Sequence, residues 1–275
     1  MNLEGKVVIV TGAGLPNGIG AGIARCFAVE KAKVVITDLE GAPIDETIAS
    51  LPGEVTGLIA DASSQSAMLE AANKVRDQYG RIDVLINNAG IGGPLPKEEV
   101  AEVANLATGA DAVLAMKDEE WDAHLVANLR TTFASSSALA PIMEDGGSIV
   151  NIASVAALGP TTDLPAYGAA KAGVVHFTKT LAIQLAPRRI RVNCICPGLL
   201  WTRAWEMLTA GMKHNNPELD NVSQRDIFEG VVQRMTPLGG EQTPEDIGDL
   251  AAFYASDKAR MITGAVVAVD GGMSI

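Results

Sequence analysis

Lys6-Val-Val-Ile-Val-Thr-Gly-Ala-Gly-Leu-Pro-Asn-Gly-Ile-Gly20 is the stretch on which the reading of the fold depends. Its first part, Lys6 to Thr11, is an apolar run of strand length, and the helical-period run Ala21 to Val29 follows the glycines directly. The glycines let the chain adopt positive φ and let a large anion come close to the backbone. The N-terminus of the helix that follows offers unpaired N–H groups and a favourable dipole. A dinucleotide pyrophosphate fits such a turn. A plain strand-to-helix connection is the structural alternative, and the position after a first strand and before a helix favours the anion site.

Further apolar runs of strand length follow at Lys33 to Thr37, Val55 to Ala60, Ile82 to Asn87, Ser148 to Ala153, Ile190 to Cys196 and Ala265 to Val269. Strands alternating with longer helical segments predict βαβ units in a mainly parallel seven-stranded sheet. With helices on both faces, this is an α/β, Rossmann-like doubly wound fold. The chain has 275 residues and no repeat, low-complexity tract or linker, so a single domain over 1–275 suffices. Two segments look less regular: 91–117, which carries Gly92-Gly93-Pro94, and 199–240, rich in Trp, Met and polar residues. Both follow strands whose carboxyl ends face the ligand crevice of such a fold, so they read as an extended loop insertion and a substrate lid.

A formal charge of −12 opposes general affinity for nucleic acid or an anionic membrane. No apolar stretch is long enough to span a bilayer, and Met1-Asn-Leu-Glu-Gly-Lys6 runs straight into the first strand, so a soluble cytoplasmic protein is expected. Cys26, Cys194 and Cys196 do not form a disulfide framework and read as reduced thiols, the Cys-x-Cys pair pointing to one side of a strand. His124, His176 and His214 lack acidic or cysteine companions at ligand spacing, so no metal is assigned.

Asp38 closes the second strand, where a carboxylate can accept hydrogen bonds from the adenosine ribose; a solvated turn aspartate is the alternative. A 2′-phosphate would meet like charge there, and no Arg or Lys stands in the glycine loop or just after Asp38, which favours NAD over NADP. Asp61, after the third strand, suits either the adenine amino group or the cap of a helix beginning near Ser64. Asn87-Asn-Ala-Gly90 ends the fourth strand with small residues where a cofactor can pack closely, or it is an ordinary turn.

Tyr167-Gly-Ala-Ala-Lys171 supplies the chemistry, with Ser154 at the end of an apolar strand. A helix repeats in about 3.6 residues, so Tyr167 and Lys171 share a face. An unperturbed tyrosine titrates near about 10, and an adjacent cation is expected to favour phenolate and lower that value. Tyr167 is then a plausible acid/base. A solvated Tyr/Lys pair is the alternative.

On these motifs, taken in order with Pro197-Gly198 and the terminal Ile262-Thr-Gly-Ala-Val-Val-Ala-Val-Asp-Gly-Gly272, the chain resembles the short-chain dehydrogenase/reductase family essentially from Lys6 onward. The resemblance implies a tetrad of Asn128, Ser154, Tyr167 and Lys171. In it, Asn128 distorts its helix and holds a water linking Lys171 to solvent. Lys171 binds the nicotinamide ribose, Ser154 polarises the substrate oxygen and Tyr167 exchanges the proton while hydride passes to or from nicotinamide C4. It also implies that Pro197-Gly-Leu-Leu-Trp-Thr202 lies beside the nicotinamide, with the Leu200 backbone and Thr202 hydroxyl on the carboxamide; a proline turn is the structural alternative. The expected NAD contacts are then Gly12, Asn17, Gly18, Ile19, Gly20, Asp38, Leu39, Asp61, Ala62, Asn88, Ala89, Gly90, Tyr167, Lys171, Pro197, Gly198, Leu200 and Thr202.

Two departures from the family stand out. Five residues, Ala13 to Asn17, separate Gly12 from Gly18 where the family has three, so the first glycine is either Gly12 or Gly14. The stretch before Asn128 is also longer than usual. Ser154 and Tyr167, with Trp201 and Trp205, are the expected substrate contacts. Trp201, Trp205, Met207, Leu208 and Met212 either line an apolar pocket or pack the lid.

The expected activity is NAD-dependent interconversion of a secondary alcohol, apolar or alicyclic, and its ketone. A 3-oxoacyl-thioester reductase ranks second, since such family members commonly use NADPH and attract an anionic carrier through basic surface. A catalytically idle NAD-binding regulator ranks third. Family members are often tetramers, so a homo-oligomer, most simply a homotetramer, is expected.

Overall fold

The apolar runs at the centre of the sheet form strands because they are buried on both faces. In β1 (Val7–Thr11), Val8 and Val10 point into one core while Val7 and Ile9 point into the other, the period-two alternation of a strand. The computed structural model describes residues 1–92 and 111–275. In it β1 lies near the centre of one parallel sheet with β2 (Lys33–Asp38), β3 (Val55–Ile59), β4 (Val84–Asn87), β5 (Ser148–Ile152), β6 (Arg191–Pro197) and β7 (Val266–Val269), in the order β3-β2-β1-β4-β5-β6-β7. The described helices are α1 (Ile19–Val29), α2 (Ile44–Ser50), α3 (Gln65–Tyr79), α4 (Asp111–Ala115), α5 (Asp118–Leu125), α6 (Thr131–Leu139), α7 (Pro165–Leu185), α8 (Arg203–Asn215), α9 (Gln224–Met235) and α10 (Pro244–Ala255).

Ile23 and Phe27 of α1 and Ile247 and Ala251 of α10 close one face of the sheet. Met68 and Val75 of α3, Leu139 of α6 and Leu181 of α7 close the other. Local signals set the ends of these helices. Ser64 caps α3 by accepting from the Ala67 N–H, Gly80 ends it with a φ of 77°, and Thr243 and Asp246 form a reciprocal capping box with Pro244 at the start of α10.

Strand order reverses at β1. The chain moves outward through β2 and β3, then returns to place β4 on the other side of β1. The carboxyl ends of β1 and β4 therefore open a crevice, the usual ligand position in a doubly wound sheet. Of the predicted insertion 91–117, residues 93–110 lie outside the described residues. The segment 199–240, which looked irregular in sequence, is mostly helical: α8 and α9 form most of it, joined through a short turn at Pro217–Leu219. Among the described residues no helix is long and apolar enough to cross a membrane.

Candidate active site

The glycine turn is fastened to the end of β4. Thr11 Oγ1 accepts from the Asn88 and Ala89 N–H groups, at 3.1 Å each, and donates to the Ile86 carbonyl. Asn88 returns the contact by donating Nδ2 to the carbonyls of Thr11 at 3.0 Å and Gly12 at 2.8 Å. Gly12 has a φ of 63°, and a Cβ there would stand 2.5 Å from Ala89 Cα. This settles the glycine left open by the sequence: Gly12 makes the tight turn.

Gly14 has another task. Its N–H donates to Asp38 Oδ2 at 2.7 Å, and Asp38 Oδ1 accepts from the Leu39 N–H at 2.8 Å. Asp38 thus braces the longer loop while remaining half-buried, with oxygen lone pairs left for ribose hydroxyls. Asn17 is exposed on that loop, and Ile19 opens α1 behind Gly18, whose position has no side-chain cap. A bare backbone in front of uncapped helix amides fits a pyrophosphate. Asp61 does not cap α3. It accepts from the Ser63 N–H and hydroxyl at 2.8 Å each, while Ser64 takes the cap and buried Ala62 receives the Ser135 hydroxyl on its carbonyl.

Asn128 sits fully buried in a π-helical turn, Val126–Arg130, between α5 and α6. Its Nδ2 donates to the His124 carbonyl at 3.2 Å, and its Oδ1 accepts from the Ile91 N–H at 3.0 Å. The widened turn is the helix distortion that the resemblance implied, and such bulges recur at functional sites. A Cβ on Gly90 would lie 2.8 Å from Asn128 Oδ1 and 3.2 Å from Lys171 Nζ, so these two polar groups converge on the bare Gly90 backbone.

Ser154 follows β5 and begins the turn Val155–Ala157, where its Oγ accepts from the Ala156 N–H at 3.2 Å. That leaves its proton free to donate, and the hydroxyl stands close enough to Tyr167 to pull the phenol toward ionisation. Tyr167 and Lys171 lie one turn apart on α7, with the Lys171 Nζ 5.8 Å from the Tyr167 ring centroid. Lys171 is only 5% exposed and donates to the Ile152 carbonyl at 3.0 Å, at the end of β5. The four predicted side chains are therefore gathered at the ends of β4 and β5.

The electrostatics differ from the sequence expectation. Burial pushes the Tyr167 phenol above its ordinary value, the Ser154 hydroxyl pulls it down, and the Cys196 thiol raises it further. Lys171, the cation expected to pull the phenol down, is itself destabilised. Burial lowers the ammonium to about 8, against an upward pull from Cys194 and Cys196. Near neutral pH the unliganded site therefore holds a protonated phenol, poised first as a donor.

Pro197 ends β6, and the next residues turn toward the crevice. Gly198 donates to Gln242 Oε1 at 3.0 Å, and Trp201 donates its N–H to Glu241 Oε1 at 3.2 Å. Leu200 is buried, and Thr202 precedes α8 without its hydroxyl capping that helix, so the hydroxyl remains available to a ligand. Trp201 and Trp205 both pack on buried Phe228, with ring centroids 5.2 and 5.0 Å away. Of their two possible uses, the structure shows the packing of the lid. Sequence reasoning did not single out Glu241 or Gln242, which act on a segment about 40 positions away with no local pattern to mark them.

The family model described as enoyl-(acyl carrier protein) reductase matches residues 12–274. The 3-oxoacyl-(acyl-carrier-protein) reductase FabG of Thermotoga maritima is 36% identical over 281 residues, covering 100% of both chains. The 7alpha-hydroxysteroid dehydrogenase of Bacteroides fragilis is 35% identical, over 99% of this chain and 95% of that one. Among solved structures, the 3-ketoacyl-(acyl-carrier-protein) reductase from Brucella melitensis, complexed with NADH, matches with a TM-score of 0.79 at 33% identity. That match covers 99% of this chain and 100% of the other.

Proposed function

The chain belongs to the short-chain dehydrogenase/reductase family of oxidoreductases, and from that premise we propose that it interconverts a secondary alcohol and its ketone with NAD. The observation that carries the reading is the gathering of Asn128, Ser154, Tyr167 and Lys171 beside the glycine turn that Asp38 braces. Bound nicotinamide would supply or accept the hydride, and the chain's residues supply position and proton.

In the reducing direction, Ser154 and Tyr167 donate hydrogen bonds to the carbonyl oxygen and steady the alkoxide-like charge that develops on it. Tyr167 then delivers its proton. The buried Lys171 ammonium, held against the Ile152 carbonyl, offers positive charge beside the phenolate left behind and faces the place expected for the nicotinamide ribose. Asn128 fixes the Ile91 amide and, through the π-turn, the shape of the pocket behind Lys171. The NAD preference rests on Asp38, whose charge would meet a 2′-phosphate.

An apolar or alicyclic substrate is supported by the similarity to a hydroxysteroid dehydrogenase. A second reading, reduction of a 3-oxoacyl thioester, is favoured by the full-length match to the Thermotoga maritima reductase. Because a ketoacyl reductase similar to this chain is complexed with NADH, Asp38 does not separate the two readings. The charge of −12 does bear on them, since an anionic carrier would meet repulsion. Assembly into a tetramer is part of the same proposal and is supported by an apolar groove between α6 and α7.

The test is a panel of secondary alcohols and 3-oxoacyl thioesters incubated with each nicotinamide cofactor while reduced-cofactor absorbance is followed. The expected result is turnover of bulky apolar alcohols with NAD, a preference for NAD over NADP that narrows in Asp38→Ala, and loss of turnover with retained cofactor binding in Tyr167→Phe. Turnover confined to thioesters would move the assignment to the second reading. Silence across the panel would point to the idle NAD-binding regulator.

A further inference from the structure

Glu241 follows a Gly-Gly pair, far in sequence from the segment it touches. Its Oε1 accepts the Trp201 backbone N–H at 3.2 Å, while the adjacent Gln242, 8% exposed, accepts the Gly198 N–H at 3.0 Å. Consecutive side chains thus hold two amides of the Pro197 to Thr202 segment. On its other side Glu241 meets Arg225 of α9: Nη1 is 3.2 Å from Oε1, and Nη2 donates to Oε2.

The guanidinium is fixed from several directions. Its Nε donates to Glu229 at 2.9 Å, and its centre lies 5.4 Å from the Trp201 ring centroid and 5.5 Å from that of Phe228. A planar fork facing a carboxylate and stacked over aromatic rings defines one orientation, which a lysine would not impose. The ring it covers belongs to the residue whose amide Glu241 holds. The lid helix α9 and the segment after β6 are therefore joined by three charges and two rings, beside the apolar packing of Leu199 on Phe228, Val231 and Val232.

We propose that Arg225 and Glu241 are positioning residues for the nicotinamide end of the cofactor. They dock the lid onto the Pro197 to Thr202 segment and so fix the Leu200 backbone and the Thr202 hydroxyl on either side of Trp201. The inference rests on the reading above that this segment flanks the nicotinamide carboxamide. It adds that affinity for that half of the cofactor depends on a pairing made by the lid. The Arg225 and Glu241 side chains are 41% and 25% exposed, so solvent screens the pair and its effect is moderate.

Binding separates this role from a general folding defect. Fluorescence titration of the full chain with NADH and NADPH identifies the more tightly bound cofactor, and calorimetric titration with ADP-ribose, carrying the 2′-phosphate if NADPH is that cofactor, reads the adenosine half alone. Glu241→Ala is expected to weaken the reduced cofactor by about tenfold, equivalent to about 1.4 kcal/mol for a charged hydrogen bond to a backbone amide. ADP-ribose affinity should stay within about twofold, because the lost contact acts only at the nicotinamide end.

Arg225→Met should weaken the cofactor less, Glu241→Gln should recover part of the loss by keeping an acceptor for the Trp201 amide, and the double variant Arg225→Met/Glu241→Ala should be no worse than Glu241→Ala alone. An unchanged cofactor Kd in Glu241→Ala, additive losses, or parallel weakening of ADP-ribose overturns the proposal while leaving the cofactor assignment standing. Failure of the unaltered protein to bind either reduced cofactor removes the assignment itself, and the positioning role with it.

Discussion

Lys171 shows at the scale of one residue how function sets itself against stability. Its ammonium is buried and drops from an ordinary 10.5 to about 8. Below pH about 8 the folded and unfolded chains are both protonated there, and folding bears the full cost of taking the charge out of water. Between about 8 and 10.5 the unfolded chain keeps a proton that the folded one has released, so this contribution to stability improves as pH rises. At about 1.36 kcal/mol per tenfold change in proton affinity, the cost near neutral pH is about 3 kcal/mol. Lys171→Met should therefore abolish turnover yet raise the melting temperature at pH 7 by a few degrees, with a net gain of about 1–2 kcal/mol once the lost bond to the Ile152 carbonyl is counted. The same titration predicts that kcat/KM for ketone reduction by the unaltered enzyme is level below pH about 8 and declines above it as the cation is lost. A lower melting temperature in the variant, or a profile level through pH 9, would show that the ammonium is better accommodated than its burial implies.

At the scale of elements, the tetrad depends on a helix that changes pitch and a loop that carries no side chain. Asn128 is committed in two directions, to Ile91 and to the His124 carbonyl, so it cannot yield to an atom placed 2.8 Å away. Gly90→Ala is expected to keep the far-ultraviolet circular dichroism of the parent and lose about a hundredfold or more in kcat, the consequence of displacing a catalytic group by about 1 Å. Near-normal turnover would mean that the π-turn is softer than its hydrogen bonds indicate. Elements of this kind were unequally legible in the sequence. The seven strands emerge within two residues of their apolar runs; the central ones are continuous apolar stretches because both their faces are buried, and the half-buried edge strands β3 and β7 keep β-branched runs of the same length. The lid looked irregular, although Trp205, Leu208 and Met212, and Ile227, Phe228, Val231 and Val232, already carry a helical stripe among polar neighbours. Gly12 and Gly14 could not be told apart until Ala89 packed on one and Asp38 bonded the other. Glu241 and the upward shift of Tyr167 were invisible for the same reason: both arise from three-dimensional surroundings that no local spacing records.

Across the whole molecule, charge and apolar surface place opposite demands on association. Each chain carries −12, so copies repel at long range and can meet stably only through surfaces that bury apolar area with few carboxylates. A groove of about 800 Å³ lined by Leu125, Val126, Leu129, Phe133, Gly173 and Phe177 has that character, and Val126 and Phe133 remain 42% and 48% exposed on it. Phe133 and Phe177 lie 6.1 Å apart across the groove, which joins α6 to the helix carrying Tyr167 and Lys171. Ile183 and Met261, 77% and 82% exposed, add apolar surface near the C-terminal edge of the sheet. Two such faces suit a closed tetramer built on twofold axes. Sedimentation is expected to show a tetramer of 28.6 kDa chains for the parent and smaller species for Phe133→Glu, which places a charge in the groove at a position already exposed in the monomer and so spares the core. Because α7 forms one wall of that groove, with Ala172 and Gly173 on it directly after Lys171, the dissociated variant should also show a higher KM or lower kcat. A parent that sediments as a single chain, or a Phe133→Glu protein that remains tetrameric, would remove the groove from the assembly.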